Sequence, residues 1–216
     1  KLFSKNIKIR YCPVNVSRYL IDVAVSNVKS CNFPNVEYKP MVAQGDGRTL
    51  RYLDSDLKNE KFKRSVILIL GSVLASYDIN EYLFEINKDM TKGDYLVVGN
   101  GIRTGKRLVE LWKYRAPQLS SWSIHLVRRL GFKDNEVEYD ARFANSRVEM
   151  FYRVLTEKKL MHNGETITFK KGDEILTMVL YKYYTHEFDK FCKMYFSNVD
   201  LWTDKDEGYS LVMCRK

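Results

Sequence analysis

Nowhere do the 216 residues run to the roughly 18 consecutive apolar positions that a membrane-spanning helix needs, so the expectation is a soluble chain. Cysteine is scarce and scattered. Cys12, Cys31, Cys192 and Cys214 form no C-x-x-C pair and have no histidine at ligand spacing, which argues against a zinc site. A chain of this size does not need disulfide staples either, and the expectation is reduced thiols in a cytoplasmic protein. There is no internal repeat and no low-complexity linker. The opening Lys1-Leu2-Phe3-Ser4-Lys5 places charges where a signal peptide has its apolar core. Because the first residue is Lys1, the expectation is a fragment, a processed chain or the ordered part of something longer, with any sorting signal upstream.

Lysine and arginine number 36 against 27 acidic residues, giving a formal charge of +9 and a pI near 9.2. That balance permits an acidic partner without establishing one. The densest basic clusters, Lys61-Lys63-Arg64 and Arg128-Arg129, are short. A solvated basic surface outweighs a nucleic-acid footprint, which gathers on one face or stripe.

Apolar residues make up 45% of the chain, enough for one large domain or for a domain with a smaller lobe. The stretch around which the rest is organised is Val66-Ile67-Leu68-Ile69-Leu70 followed by Gly71-Ser72. Five aliphatic residues without alternation predict a strand covered on both faces, the habit of a central parallel strand. A strand that ends in a residue without Cβ and then a hydroxyl lets a ligand approach the backbone, and in open α/β sheets ligands sit beyond the carboxyl ends of strands. A strand that simply turns at a glycine satisfies the same residues.

Ile7 to Cys12 alternates and is closed by Pro13, predicting a strand; Ser17 can cap a helix carrying Leu20, Ile21, Ala24, Val25 and Val28. Val36 to Ala43 reads as a second strand ending at Gln44-Gly45-Asp46-Gly47, and residues 50–63 as a short helix or loop. Asp78 can cap a helix with Tyr82, Leu83 and Ile86. Tyr95 to Val98 is the next strand, ending at Gly99-Asn100-Gly101. Helices are expected over 105–114 and 119–130, separated near Pro117. Strands alternating with helices imply a parallel sheet.

Beyond Gly131 the texture becomes antiparallel: 139–155, 165–169 before a Lys171-Gly172-Asp173 turn, and 175–184. Thr185 can cap a helix to Tyr195. Val199 to Thr203 is expected to pair with Tyr209 to Cys214 as a closing hairpin.

A helix followed by a late hairpin on a parallel sheet is similar to the ending of class I methyltransferases, and the motifs resemble one branch of them. Tyr11-Cys12-Pro13-Val14-Asn15-Val16-Ser17, Gly45-Asp46, Leu70-Gly71-Ser72, Arg147-Val148-Glu149-Met150, Lys171-Gly172-Asp173-Glu174 and Leu201-Trp202-Thr203-Asp204 resemble, in order, Y-x-P-x-D-V-S, G-D, L-G-S, R-I-E-M, P-G-E-E and W-W-T-D. This is the pattern of the histidine-specific, S-adenosylmethionine-dependent methyltransferase family that includes the ergothioneine-pathway enzyme. The resemblance implies an α/β fold: a Rossmann-like class I sheet with a terminal antiparallel hairpin and a smaller α+β substrate lobe. It implies a cofactor-binding part over residues 1–115, a substrate-side lobe over 116–180, and a return to the main sheet over 181–216. The family's first strand and glycine-rich loop are not among these 216 residues; either they lie upstream of Lys1, which is the expectation, or the protein has lost them.

The same resemblance assigns S-adenosylmethionine as cofactor. Asp46, flanked by Gly45 and Gly47, falls at the adenine-binding aspartate, where a carboxylate accepts from the exocyclic amine. Asn15 falls at the acidic residue that holds the ribose hydroxyls, which an amide grips less strongly. Gly71 and Ser72 fall beside the methionine portion. On the substrate side, Ser76 takes the place of the imidazole-binding asparagine and Trp112 that of a tyrosine. Met178 and Leu180 replace the glutamate and serine that clamp imidazole. Such a pocket strands the polar edge of histidine at about 1 to 3 kcal/mol per unsatisfied group, so histidine is disfavoured as acceptor.

Methyl transfer requires alignment of a nucleophile and exclusion of water rather than a catalytic triad. Ser76 and Tyr77 are the candidates nearest the reacting centre, and Tyr181, Tyr183 and Tyr184 offer either an aromatic cage or ordinary lobe packing. His125, His162 and His186 show no spacing that marks a base. The expected partner is a small-molecule or peptide acceptor, with no membrane. An inactive methyltransferase-fold regulator is the main alternative. An RNA-binding methyltransferase ranks last, because no N-P-P-Y-like motif follows the central strand.

Overall fold

The computed structural model describes residues 7–42, 58–103 and 110–216. Asp46, Gly45 and Gly47 lie outside the described residues, as does most of the expected helix or loop over 50–63.

Two prolines divide the first strand pair. β1 (Ile9–Tyr11) and β2 (Val14–Asn15) are separated at Pro13, and β3 (Val36–Tyr38) and β4 (Met41–Val42) at Pro40. β1 pairs with β3 and β2 with β4, both parallel, at one unchanged offset: Ile9 opposite Val36, Val14 opposite Met41. The expected single strand over 36–43 is therefore broken, because proline has no N–H for the ladder. α1 (Arg18–Ser30) crosses between them, with Ser17 Oγ accepting from Leu20 N–H.

The principal sheet has the order β12-β13-β6-β5. β5 (Val66–Ile69) runs parallel to β6 (Tyr95–Gly101) through α2 (Ile79–Asp89), and β6 pairs antiparallel with β13 (Tyr209–Arg215). β13 in turn pairs with β12 (Asn198–Thr203), so the expected closing hairpin is present. The mixed α/β architecture and its terminal hairpin are as the sequence implies.

On one face of this sheet Ile69, Leu96, Val98, Val212 and Cys214 form the main core with Leu83 and Ile86 of α2 and Phe188 and Cys192 of α5 (Thr185–Tyr195). The other face carries Val66 and Leu68, 62% and 61% exposed. The five-residue aliphatic run is thus covered on one side only among the described residues, which corrects the expectation of burial on both. Thr185 is not the cap of α5 either. Tyr184 precedes the first turn, and its N–H is satisfied by Glu187 Oε2 at 2.9 Å.

Pro117 opens a helix rather than merely separating two: α3 (Leu111–Tyr114) is one turn, and α4 (Pro117–Arg129) begins at the proline, whose missing N–H costs nothing at a first helical position. Residues 104–109 are outside the described set. An antiparallel sheet of order β11-β8-β7 follows, from β7 (Val137–Ala144), β8 (Arg147–Val154) and β11 (Glu174–Tyr181); β9 (Lys158–His162) and β10 (Glu165–Phe169) form a separate hairpin. A bulge lies between Leu176 and Met178, and Thr177 Oγ donates to Met150 O at 3.1 Å. The extra residue brings Ile175, Met178 and Leu180 opposite Tyr152, Met150 and Val148, all inward.

No described helix is long and apolar enough to cross a membrane.

Candidate active site

The carboxyl ends of β5 and β6 meet at two consecutive left-handed residues, Gly71 (φ +77°) and Ser72 (φ +62°). For glycine that conformation is free, whereas for serine it costs about 1 to 3 kcal/mol and persists only when surrounding bonds enforce it. They do so here. Ser72 N–H donates to Gly99 O at 3.1 Å, and Gly101 N–H donates to Ser72 Oγ at 2.9 Å.

Gly71 N–H donates to the Tyr209 hydroxyl at 3.3 Å, and among the described residues a Cβ at Gly71 would meet nothing within 4 Å. The strand end therefore faces open space. Gly99 answers a different need: a Cβ there would lie 2.1 Å from the Tyr209 hydroxyl, so only glycine lets this ring cross the sheet.

After Ser72 a single 3₁₀ turn, Val73–Ser76, buries Leu74 and Ala75 and leaves Ser76 exposed. Tyr77 stacks on Tyr82 with ring centroids 4.9 Å apart; burial, then the neighbouring Tyr77, push the Tyr82 phenol up to about 12. Asp78 caps α2 by accepting from Asn80 and Glu81 N–H at 2.9 and 3.0 Å.

Lys182 reaches the same strand ends from the segment after β11. It is 8% exposed, and its Nζ comes within 2.9 Å of the position a Gly101 Cβ would take, beside Ser72 Oγ and over the Tyr114 ring. Arg103 lies one step further along. Its backbone N–H donates to Tyr183 O, and its guanidinium sits 3.9 Å from the Tyr184 ring centroid and 5.5 Å from that of Phe143. Arg103 Nε is buried and finds no partner among the described residues. Neither cation stood out in the sequence; the only signal was the alternate pair Gly99-x-Gly101, which clears the face they approach.

On the opposite face, the buried Asn100 amide and its cross-strand neighbour Ser210 hydroxyl also lack partners among the described residues.

β11 runs beside the Val73–Ser76 turn. Met178 and Leu180 pack in an apolar cluster with Leu111, Tyr114, Phe143 and Met150. Trp112, by contrast, projects outward, 68% exposed. Tyr183 is buried against the main core, with Tyr181 stacked parallel at 6.0 Å; burial, with Asp78 adding to it, raises the Tyr183 phenol far above its ordinary range. This pair is packing, and of the three tyrosines it is Tyr184 that faces Arg103.

Asn15 sits at the end of β2 opposite Val42, the last described residue before 43–57. Its Oδ1 accepts from Ser17 N–H at 2.9 Å, which turns the chain into α1. The β2–β4 pair shares no hydrogen-bonded ladder with the principal sheet among the described residues. Glu149 is clamped by Arg147 at 2.7 Å and Arg142 at 2.8 Å; these bonds, Arg147's first, hold its carboxyl below the usual range. That motif is a structural brace.

Among solved structures the chain is similar to the PH0226 protein from Pyrococcus horikoshii OT3, at 13% identity and TM-score 0.46 over 95% of this chain and 73% of that one. A SAM-dependent methyltransferase from Methanosarcina mazei is similar at 8% identity and TM-score 0.41, covering 96% and 82%. DesVI from Streptomyces venezuelae is similar at 10% and 0.38, covering 94% and 73%. No curated protein matches the sequence. The profile of the family described as histidine-specific methyltransferase, SAM-dependent, matches residues 1–216. The chain belongs to that S-adenosylmethionine-dependent methyltransferase family.

Proposed function

We propose that this methyltransferase acts on an acceptor other than free histidine, in the space beyond the carboxyl ends of β5 and β6. The observation that carries the reading is the packing of Met178 and Leu180 into an apolar cluster with Tyr114 and Phe143. By resemblance these positions hold the family's imidazole clamp, and here they offer neither acceptor nor hydroxyl. A polar imidazole edge facing such a wall keeps no partner, which costs about 1 to 3 kcal/mol per group.

The open space at Gly71 and the fixed backbone of Ser72 fit the methionine portion of the cofactor. Asn15 is proposed for the ribose and Asp46, with Gly45 and Gly47, for the adenine. When bound, S-adenosylmethionine supplies a methyl group already activated on sulfur, which leaves as the acceptor's lone pair bonds to it. The chain's own task is to align that lone pair and keep water out. Ser76 and Tyr77 close the turn beside which the acceptor would lie. Tyr183 holds its proton and is no base at neutral pH. The residues over 116–180 are proposed as the acceptor-side lobe, with 1–115 and 181–216 on the cofactor side.

The basic clusters give little support to nucleic acid as the acceptor. Lys61 pairs with Glu37 at 3.0 Å, and Arg128 holds Asp134 through two bonds of 2.8 and 2.6 Å. The four cysteines are free, in keeping with a cytoplasmic setting.

The test is the double change Met178→Glu with Leu180→Ser, followed by histidine titration in the presence of S-adenosylhomocysteine. Histidine affinity is expected to rise by about tenfold or more, as two hydrogen bonds are restored. Unchanged affinity would show that these positions do not face the acceptor.

A further inference from the structure

We propose that Lys182 and Arg103 recognise a carboxylate on the methyl acceptor, and that the acceptor is an acid with an apolar, ring-sized body. The inference rests on reading this site as the acceptor side of a methyltransferase. Both cations lie where β6 ends and the segment after β11 crosses it: Lys182 Nζ beside Gly101 and Ser72, Arg103 hydrogen-bonded through its backbone to Tyr183. Neither makes an ion pair with a carboxylate among the described residues. Among the described residues the other charges that lie so deep do have one; Glu149 has two arginines, and Asp94, fully buried, has Lys58. A nearly buried ammonium without a counter-charge is costly, and binding an anion there relieves the cost.

The geometry also selects the kind of anion. The Arg103 guanidinium lies 3.9 Å from the Tyr184 ring centroid and 5.5 Å from that of Phe143, and its Nε is buried with no partner among the described residues. A planar carboxylate is the anion that the parallel N–H groups of a guanidinium hold best. Tyr114 and Phe143, the rings beneath Lys182 and Arg103, belong also to the apolar cluster of Met178 and Leu180. The charged end and the apolar wall are therefore two parts of one surface, and a molecule spanning them needs an acid at one end and hydrocarbon at the other.

The probes are phenylacetate, phenylacetamide and phenyl phosphate, titrated into the intact protein with and without S-adenosylhomocysteine. Phenylacetate is expected to bind about tenfold or more tightly than the amide, since only the acid meets the two cations. Lys182→Met and Arg103→Met should each abolish that preference, while Lys182→Arg, which keeps the charge should Met impair folding, should retain most of it. Equal binding of acid and amide, no acid binding at millimolar concentration, or a preference that survives both Met variants would overturn the assignment. Tighter binding of phenyl phosphate than of phenylacetate would overturn the choice of carboxylate. S-adenosylhomocysteine binding is read separately, so loss of the cofactor site is distinguished from failure of the acid site.

Discussion

Asp94 and Gly99 stand five residues apart on or beside one strand and do opposite work. Asp94, fully buried before β6, accepts from Ser65 and Thr91 N–H, each at 2.8 Å, and from Lys58 at 2.5 Å. Burial alone pushes its carboxyl up, but the Lys58 bond and the two backbone donors outweigh that and hold it below the usual range. A carboxyl depressed in the folded state contributes stability that is complete above its unfolded value of about 3.9 and is lost as pH falls through the folded one. Urea midpoints measured from pH 6 down should therefore fall below about pH 4, and Asp94→Asn should flatten that loss while costing about 3 kcal/mol at neutral pH. An unchanged acid limb would remove Asp94 from the account. Gly99→Ala, for its part, displaces the Tyr209 ring and should destabilise by about 1 to 3 kcal/mol. In a Tyr209→Ala background the same change should be nearly neutral, and a thermal-unfolding cycle of the four proteins reads the coupling.

At the scale of elements, α2 is set by its cap. Asp78 holds two amides of the first turn, and the helix presents Ile79, Leu83 and Ile86 to the core. Asp78→Ala should cost about 1 kcal/mol, read by denaturant unfolding; no loss would mean that packing alone fixes the helix start. The same elements show what local pattern can and cannot convey. The Asp78 cap and the closing hairpin were readable because cap chemistry and alternation are local. The bulge at Thr177 was not, because Ile175 and Met178 have opposite parity, and only pairing with β8 shows that both face inward. The second strand reads as unbroken over 36–43 although Pro40 lies within it; that the ladder stops there and resumes in register beyond shows only in its pairing with the strand that Pro13 interrupts. Lys182 and Arg103 were invisible for the same reason. Their meeting depends on the crossing of β6 with the segment after β11, far away in sequence.

Across the whole molecule, one face of the principal sheet is sealed by α2 and α5, and function is proposed at the carboxyl edge where Gly71, Ser72, Gly101 and Lys182 gather. The resemblance pointed to Gly71 and Ser72, and the structure adds the bonds that hold them. The most direct test is calorimetric titration of the intact protein with S-adenosylhomocysteine. Micromolar binding, weakened about tenfold or more by Asp46→Ala through loss of a charge-assisted bond, is the predicted result. No heat of binding from the intact protein, or binding that Asp46→Ala leaves unaltered, would contradict the placement of the cofactor.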